Sequence, residues 1–199
     1  MPDPNDVLIR PVQPSDEAAI VDICYETRSV DIAEEGKYAF ALRWALPYLR
    51  DDPQFCFVAV IGEQVIGYIV GTPDTKQQVL NFERNILPEM QTLIDGSHPF
   101  ANQFLNGGKL DPAVTELLDD YPAHLHINMT SDCRGLGVGA RLIKELEHQL
   151  ISHNVTGIHL GVNKQNMAAV RFYQHQGYDL REGEADDFAN PWMMTKTLG

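Results

Sequence analysis

The chain is short of positive charge: 15 lysines and arginines stand against 28 aspartates and glutamates, a formal net charge of −13 at neutral pH. A nucleic-acid binder is expected to present a basic stripe, and no such excess exists here. The acidic balance favours cationic partners such as amines, although it also serves solubility by itself. Cysteine is scarce as well. Cys24, Cys56 and Cys133 are too few and too scattered for a CxxC metal site, and three of them in a chain this long argue against a disulfide framework. Cys133 reads as a small buried or turn residue in preference to a reactive thiol. No apolar run approaches the ~20 residues of a membrane span, and Met1 to Asp6 lack the basic start and apolar core of a signal peptide. The expectation is a cytoplasmic protein with no membrane, nucleic-acid or metal partner. No internal repeat or low-complexity tract interrupts the chain, and 199 residues at 44% apolar composition suffice for one core, so a single domain over 1–199 is expected.

What is present begins with periodicity. Val7 to Pro11 reads as a strand, and Pro14-Ser15-Asp16 as a turn and cap before a helix carrying Ala19, Ile20, Ile23, Cys24 and Thr27. Ala39, Leu42, Leu46 and Leu49 predict one further helix over Tyr38 to Leu49. Phe55 to Ile61 and Val65 to Thr72 are β-branched and aromatic runs around Gly62-Glu63-Gln64, a hairpin signature. Thr75 to Ile94 reads as mostly helical, and the turn-rich stretch Asp95 to Tyr121 as loops and short helices, so that about 76–120 forms a helical insertion. A strand follows at His124 to Met129, then a helix with Leu142, Ile143, Leu146 and Leu150, a strand at Ile158 to Val162, a helix, and two strands, the closing one at Trp192 to Thr197. That order is α/β with a mixed sheet.

The most informative segment joins the His124 strand to the following helix through Arg134-Gly135-Leu136-Gly137-Val138-Gly139. Alternating glycines allow positive φ and close approach of a ligand, and the amides at a helix N-terminus favour an anion. Asp132 is expected to order this turn. A Walker loop would end in Gly-Lys-Ser or Gly-Lys-Thr, whereas Gly139 is followed by Ala140 and Arg141. A dinucleotide fingerprint is spaced GxGxxG with an acidic residue ending the next strand, whereas this one is GxGxG and the Ile158 strand runs into Asn163. Downstream, Asn166, Ala169 or Val170, and Tyr173 fall on one helical face, and Gly177 supplies a left-handed stop. Asn166 also suits a helix N-cap, and Tyr173 an amphipathic-helix tyrosine.

Arg-x-x-Gly-x-Gly resembles the coenzyme A pyrophosphate loop of the GNAT superfamily of N-acetyltransferases. Asn166-Met167-Ala168-Ala169-Val170-Arg171-Phe172-Tyr173 with Gly177-Tyr178 resembles that superfamily's second motif, Asn-x-x-Ala-x-x-x-Tyr-x-x-x-Gly-Tyr/Phe. The resemblance implies the GNAT fold: a mixed central sheet flanked by helices on both faces, with the helical insertion placed before the cofactor-binding strand. Leu42-Arg43-Trp44 to Tyr48, Phe55 to Ala59, Gly67 to Thr72 with Asp74, and Tyr121 to Ile127 further resemble the acetyltransferase-like domain at the end of O-GlcNAcase and its stand-alone microbial relatives.

The resemblance implies direct transfer of acetyl from acetyl-CoA to a primary amine, a small molecule or a lysine-bearing peptide, in a ternary complex. Ile127, Asn128, Met129 and Thr130 would hold the pantetheine. Arg134, Gly135, Leu136, Gly137, Val138, Gly139 and Ala140 would hold the pyrophosphate, with Asn166, Ala169 and Tyr173 completing the cofactor site. A main-chain N–H near Asn128 or Met129 would polarise the thioester carbonyl, and Tyr173 would protonate the leaving thiolate. The general base is harder to place, because these relatives usually carry Asp where Asn128 stands. His126, on the same strand face, is the nearest titratable candidate, and Asp74 and Glu83 are further ones. For His126 and His124 the reading as histidines bonded within the fold stands beside the catalytic one. A non-catalytic module binding acyl-CoA or a peptide, a transferase for longer acyl groups, and assembly as a homodimer remain open alternatives.

Overall fold

The strands lie within about a residue of the β-branched and aromatic runs that predict them. The computed structural model describes residues 6–94, 101–105, 110, 112–133, 136–181 and 191–199. The chain opens with β1 (Val7–Pro11), α1 (Glu17–Glu26), α2 (Lys37–Trp44) and α3 (Leu46–Asp51), then the hairpin β2 (Cys56–Ile61) and β3 (Gln64–Thr72). The insertion contributes α4 (Thr75–Asn81), α5 (Leu87–Leu93), α6 (Ala101–Leu105) and α7 (Pro112–Thr115). There follow β4 (Ala123–Met129), α8 (Val138–Ser152), β5 (Gly157–Val162), α9 (Met167–His175), β6 (Asp179–Arg181) and β7 (Trp192–Thr197).

The strands form one mixed sheet in the order β1-β2-β3-β4-β5-β7-β6. Every pairing is antiparallel except β4 with β5. That parallel pairing consists of two partners alone, Ala123 with Ile158 and His124 with His159. Beyond His124, β4 stays in register with β3 as far as Met129, while β5 stays with β7 as far as Val162. The sheet is thus two blocks joined at one end, and among the described residues the edge of β4 from Leu125 to Met129 has no strand partner on its β5 side. The joint is tight: a Cβ on Gly157 would lie 2.3 Å from the carbonyl oxygen of Asp120, so only glycine lets the start of β5 meet the chain entering β4.

Helices cover both faces. Tyr68 and Val70 of β3 and Val58 and Val60 of β2 pack with α1, α2, α3 and the insertion helices in one apolar cluster. Ile66, Ile69, Leu125 and Leu160 pack with Leu142, Ile143, Leu146 and Leu150 of α8 and Val170 of α9 in the other. The register of β2 and β3 slips where Ala59 pairs with Gly67 and Val60 with Val65, which leaves Ile66 as the extra residue of a bulge.

Two helical expectations change. One helix over Tyr38 to Leu49 is broken into α2 and α3 at Ala45 (φ −134°, ψ −51°). Pro47 has no N–H to donate to the carbonyl of Arg43, so the helical ladder cannot run through this point. The stretch from Thr75 to Ile94 is helical as expected, but Phe82–Ile86 is a π turn, widened immediately before Pro88, which cannot donate to it. Of the Asp95 to Tyr121 stretch, residues 95–100, 106–109 and 111 lie outside the described residues, and the rest contains the two short helices α6 and α7.

Candidate active site

The unpaired edge of β4 leads directly into the glycine turn. Thr130 donates its backbone N–H (3.0 Å) and its hydroxyl (3.2 Å) to the carbonyl of Ile66, the bulge residue. Cys133 Sγ reaches the same carbonyl at 3.3 Å and the Thr130 hydroxyl at 3.1 Å. The bulge therefore anchors the start of the turn, and Cys133 is a buried structural thiol. Arg134, Gly135 and the Asp132 side chain, all called from sequence, lie outside the described residues.

The turn closes at Gly137, the residue capping α8, with φ +70°. This left-handed conformation is the one glycine adopts freely, and open space surrounds the position where a Cβ would stand. Gly139 works differently. Its absent Cβ would lie 3.0 Å from Met129 Cε and 3.1 Å from Phe172 Cζ, so its role is to let α8 approach β4 and α9. The first amides of α8 belong to Val138, Gly139 and Ala140, which is where an anion gains from unpaired N–H groups and the helix dipole.

On the α8 side of β4 lie Ile127 and Met129, packed against the same cluster as Leu136, Ala169, Phe172 and Tyr173. Asn166 caps α9, its side-chain oxygen accepting the Ala169 N–H at 3.1 Å. Its amide nitrogen remains available. Tyr173 sits on the same face of α9 two turns later, edge-on to Tyr178 at 5.7 Å between ring centroids. Among the described residues its hydroxyl has no hydrogen-bond partner, and it is not fully sealed from solvent. Burial of the ring raises its pKa to about 12, which keeps the phenol protonated. Gly177 (φ +84°) ends the helix with the predicted left-handed turn.

The opposite face of β4 carries His124, His126 and Asn128. The Thr75 hydroxyl donates its one proton to the Pro122 carbonyl at 2.6 Å, so its oxygen accepts from His124 Nδ1 at 2.7 Å. His124 Nε2 is then the acceptor for the Tyr48 hydroxyl at 2.5 Å. Both ring nitrogens are engaged, and burial holds the pKa far below the usual histidine range. His159 is fixed similarly through Nδ1 to the Tyr121 carbonyl at 2.8 Å. These two histidines are structural and neutral, as the bland reading of His124 expects.

His126 is half-buried and packs edge-on against Trp44 (5.3 Å) and Tyr48 (5.5 Å). Neither ring nitrogen is hydrogen-bonded among the described residues. Burial first, then the positive charge of Arg43, depress its pKa to about 3. Such a ring accepts hydrogen bonds but does not hold a proton at neutral pH, which weighs against a standing general base. Asn128 donates from Nδ2 to the Tyr68 hydroxyl at 2.8 Å. Asp74 caps α4 by accepting the Gln77 N–H at 3.0 Å, and Glu83 is exposed on the π turn. Neither is brought to β4 by a described contact. Among the described residues no group of three or more His, Cys, Asp and Glu side chains could hold a metal ion, and no helix is long and apolar enough to cross a membrane.

Sequence reasoning did not single out Arg43, Trp44, Tyr48 or Tyr68 as individual site residues. They arrive from α2, α3 and β3 and line the Asn128 face of β4. A cleft of about 740 Å³ lies further along, between α1 and the β2–β3 turn, bordered by Asp22, Glu26, Glu63 and Thr130.

Comparison with known proteins agrees with this geometry. Residues 106–178 match the acetyltransferase (GNAT) family. The crystal structure of SsHAT is 26% identical over 98% of this chain and 98% of its own, with a TM-score of 0.80. A ribosomal-protein-alanine N-acetyltransferase from Brucella melitensis (19% identity, 96% and 99% coverage, TM-score 0.60) shares the fold. So does an agmatine N-acetyltransferase point mutant in its apo form (14% identity, 97% and 100% coverage, TM-score 0.60). The chain has the GNAT fold along its length.

Proposed function

We infer that this chain, an N-acetyltransferase of the GNAT fold, moves acetyl from acetyl-CoA directly to a primary amine, either a small molecule or a lysine-bearing peptide. The observation that carries the reading is the open edge of β4 from Leu125 to Met129, running into the left-handed Gly137 turn and the N-terminus of α8. An extended amide-bearing arm fits a strand edge with free backbone groups, and a pyrophosphate fits the helix start at the end of that edge. Ile127 to Thr130 would hold the arm and Leu136 to Ala140, with Arg134 and Gly135, the pyrophosphate. Acetyl-CoA supplies the activated acyl group as a thioester.

The remaining work belongs to side chains and backbone. A β4 N–H near Asn128 or Met129 stabilises charge on the carbonyl oxygen as the amine attacks. The carbon–sulfur bond would break as Tyr173, held protonated, gives its proton to the departing sulfur, and the phenolate would regain a proton from the nitrogen that becomes the amide. The amine must shed a proton first. Asn128 has no basicity and His126 too little, so that proton passes to water. The acidic surface suits a cationic amine approaching from solvent. We also assign the chain to the relatives of the O-GlcNAcase acetyltransferase-like domain, because Trp44, Tyr48, Tyr68, His124 and His126, drawn from the segments that carry this resemblance, share one layer. A cytoplasmic setting accords with three buried free thiols.

Titration with acetyl-CoA followed by thiol release across a panel of amines tests the reading. Acetyl-CoA binding with CoA release on addition of an amine supports it. Binding without release across broad amines supports the alternative of an acyl-CoA or peptide-binding module, which the missing carboxylate at Asn128 favours.

A further inference from the structure

We propose that Arg43 binds the carboxylate of the acyl acceptor, so that the acceptor is an amino acid or a similar small amine carrying one carboxylate. This rests on the acyl-transfer reading above and names its substrate class.

Arg43 lies in the last turn of α2 with its guanidinium 4.1 Å from the Trp44 ring centroid and 5.8 Å from that of Phe82. Among the described residues it has no hydrogen-bond or ion-pair partner. Its Nε is sealed from solvent and unbonded, whereas the two Nη groups are not among the sealed atoms. Arg28 comes nearest to it, with Nε also sealed and unbonded and its guanidinium 3.7 Å from the Tyr25 ring centroid, but its Nη1 donates to the Tyr25 carbonyl at 2.7 Å. Three other half-buried cations meet carboxylates. Arg10 meets Asp16 at 2.7 Å, Arg50 meets Glu89 at 2.6 Å and Lys196 meets Glu147 at 2.7 Å. A desolvated guanidinium without a counter-ion is costly, and stacking on an indole recovers only part of that cost. A ligand anion gripped by the two unbonded Nη groups would supply the rest.

Position links this cation to the reaction. The Trp44 ring that carries Arg43 stands edge-on to His126, 5.3 Å away, and His126 lies on β4 past the last β4–β5 partner. An anion on Arg43 therefore lies in the layer covering the Asn128 face of β4, beside the edge assigned to the thioester. The titratable groups around it are Tyr48, His124 and His126, and all three are neutral at pH 7 in their buried settings. One positive charge thus matches one negative charge, which suits a carboxylate. A phosphate dianion would leave a charge uncompensated. The net charge of −13 outside would repel a ligand that is anionic overall, so a zwitterion or a diamino acid fits both fields.

The test compares matched acceptors that differ by one carboxylate: L-lysine with cadaverine, L-ornithine with putrescine, and β-alanine with ethylamine. With wild-type protein we expect kcat/KM, read as CoA release, to be at least tenfold higher for the carboxylated member. Arg43→Gln should abolish the preference and leave acetyl-CoA binding intact, and Arg43→Lys should retain part of it. Equal turnover within the pairs in the wild type overturns the proposal and leaves acyl transfer standing. So does an unchanged preference in Arg43→Gln, which would make the stacked guanidinium purely structural. If no amine is turned over, acyl transfer fails, and calorimetry of lysine and cadaverine against the CoA-saturated protein decides the proposal: tighter lysine binding supports it, equal binding overturns it. If Arg43→Gln does not fold, the wild-type pairs and Arg43→Lys carry the test.

Discussion

Asn128 Nδ2 donates to the Tyr68 hydroxyl at 2.8 Å, directly across the β3–β4 pair. Tyr68 is fully buried, and its phenol lies deep enough that ionisation is strongly disfavoured. Removing either partner leaves the other poorly satisfied, so Asn128→Ala and Tyr68→Phe should each cost about 1–2 kcal/mol. Urea unfolding of both single variants and the double variant should return a coupling of about 1 kcal/mol. A coupling near zero would show that the pair does not hold this face of β4 together.

The Tyr173 hydroxyl makes no hydrogen bond among the described residues, so Tyr173→Phe should change stability by less than about 0.5 kcal/mol. Its loss should appear in chemistry instead. Turnover should fall on the order of 10²-fold, within the usual range for an acid catalyst, with acetyl-CoA affinity little altered. Because its pKa stands at about 12, the donor form persists through the alkaline range, and activity should show no decline assignable to Tyr173 below pH 10. Equal turnover in the variant would remove the assignment.

With His126 depressed to about 3, no catalytic imidazole titrates near neutrality. The kcat/KM for an alkyl amine of pKa about 10.4 should therefore rise roughly tenfold per pH unit between 7 and 9, following the free-amine fraction. His126→Gln should keep that slope. A limb near pH 6–7 that vanishes in the variant would restore His126 as the base.

The same depression has a consequence for folding. His124, His126 and His159 all have folded pKa values below the unfolded value of about 6.5. Below that pH the unfolded chain binds protons that the folded chain does not, so stability is complete above about 6.5 and is lost as pH falls. Each group contributes up to about 1.4 kcal/mol per pH unit until its own folded pKa is reached. Denaturant midpoints measured from pH 7.5 to 4.5 should fall steeply, and His124→Gln should flatten the slope. A pH-independent midpoint would contradict the buried, neutral histidines.

Three glycines should respond to alanine in a set order. Gly157→Ala places a methyl against a backbone carbonyl at 2.3 Å and should be the most damaging. Gly137→Ala has room, but its φ of +70° costs about 1–2 kcal/mol. Gly139→Ala meets the flexible end of Met129 at 3.0 Å and the Phe172 ring at 3.1 Å, so it should be milder than Gly157→Ala while tilting α8. Thermal melts rank them.

Much of this was legible in the letters. Val7–Pro11 and Trp192–Thr197 have the predicted bounds. The Asn166 cap and the Gly177 stop follow from local backbone chemistry. Pro47 carried the signal for the break at Ala45, which the apolar spacing of Ala39, Leu42, Leu46 and Leu49 masked. The bulge at Ile66 left no such mark, since nothing in Val65-Ile66-Gly67 distinguishes an extra residue from a regular one.

The sequence by itself determined where the strands, most of the helices and the glycine turn lie along the chain, because propensity, periodicity and positive φ act over a few neighbouring residues. Tertiary structure decided which candidates could do chemistry. His124 and His126 are two letters apart on one strand face, yet Tyr48 and Thr75 engage both nitrogens of the first, while the second is left unbonded beside Trp44 and Arg43. Protonation depends on burial and on charges brought from elements dozens of residues away, and Arg43, in sequence an ordinary helix arginine, gains its meaning from the carboxylate that the fold does not place beside it.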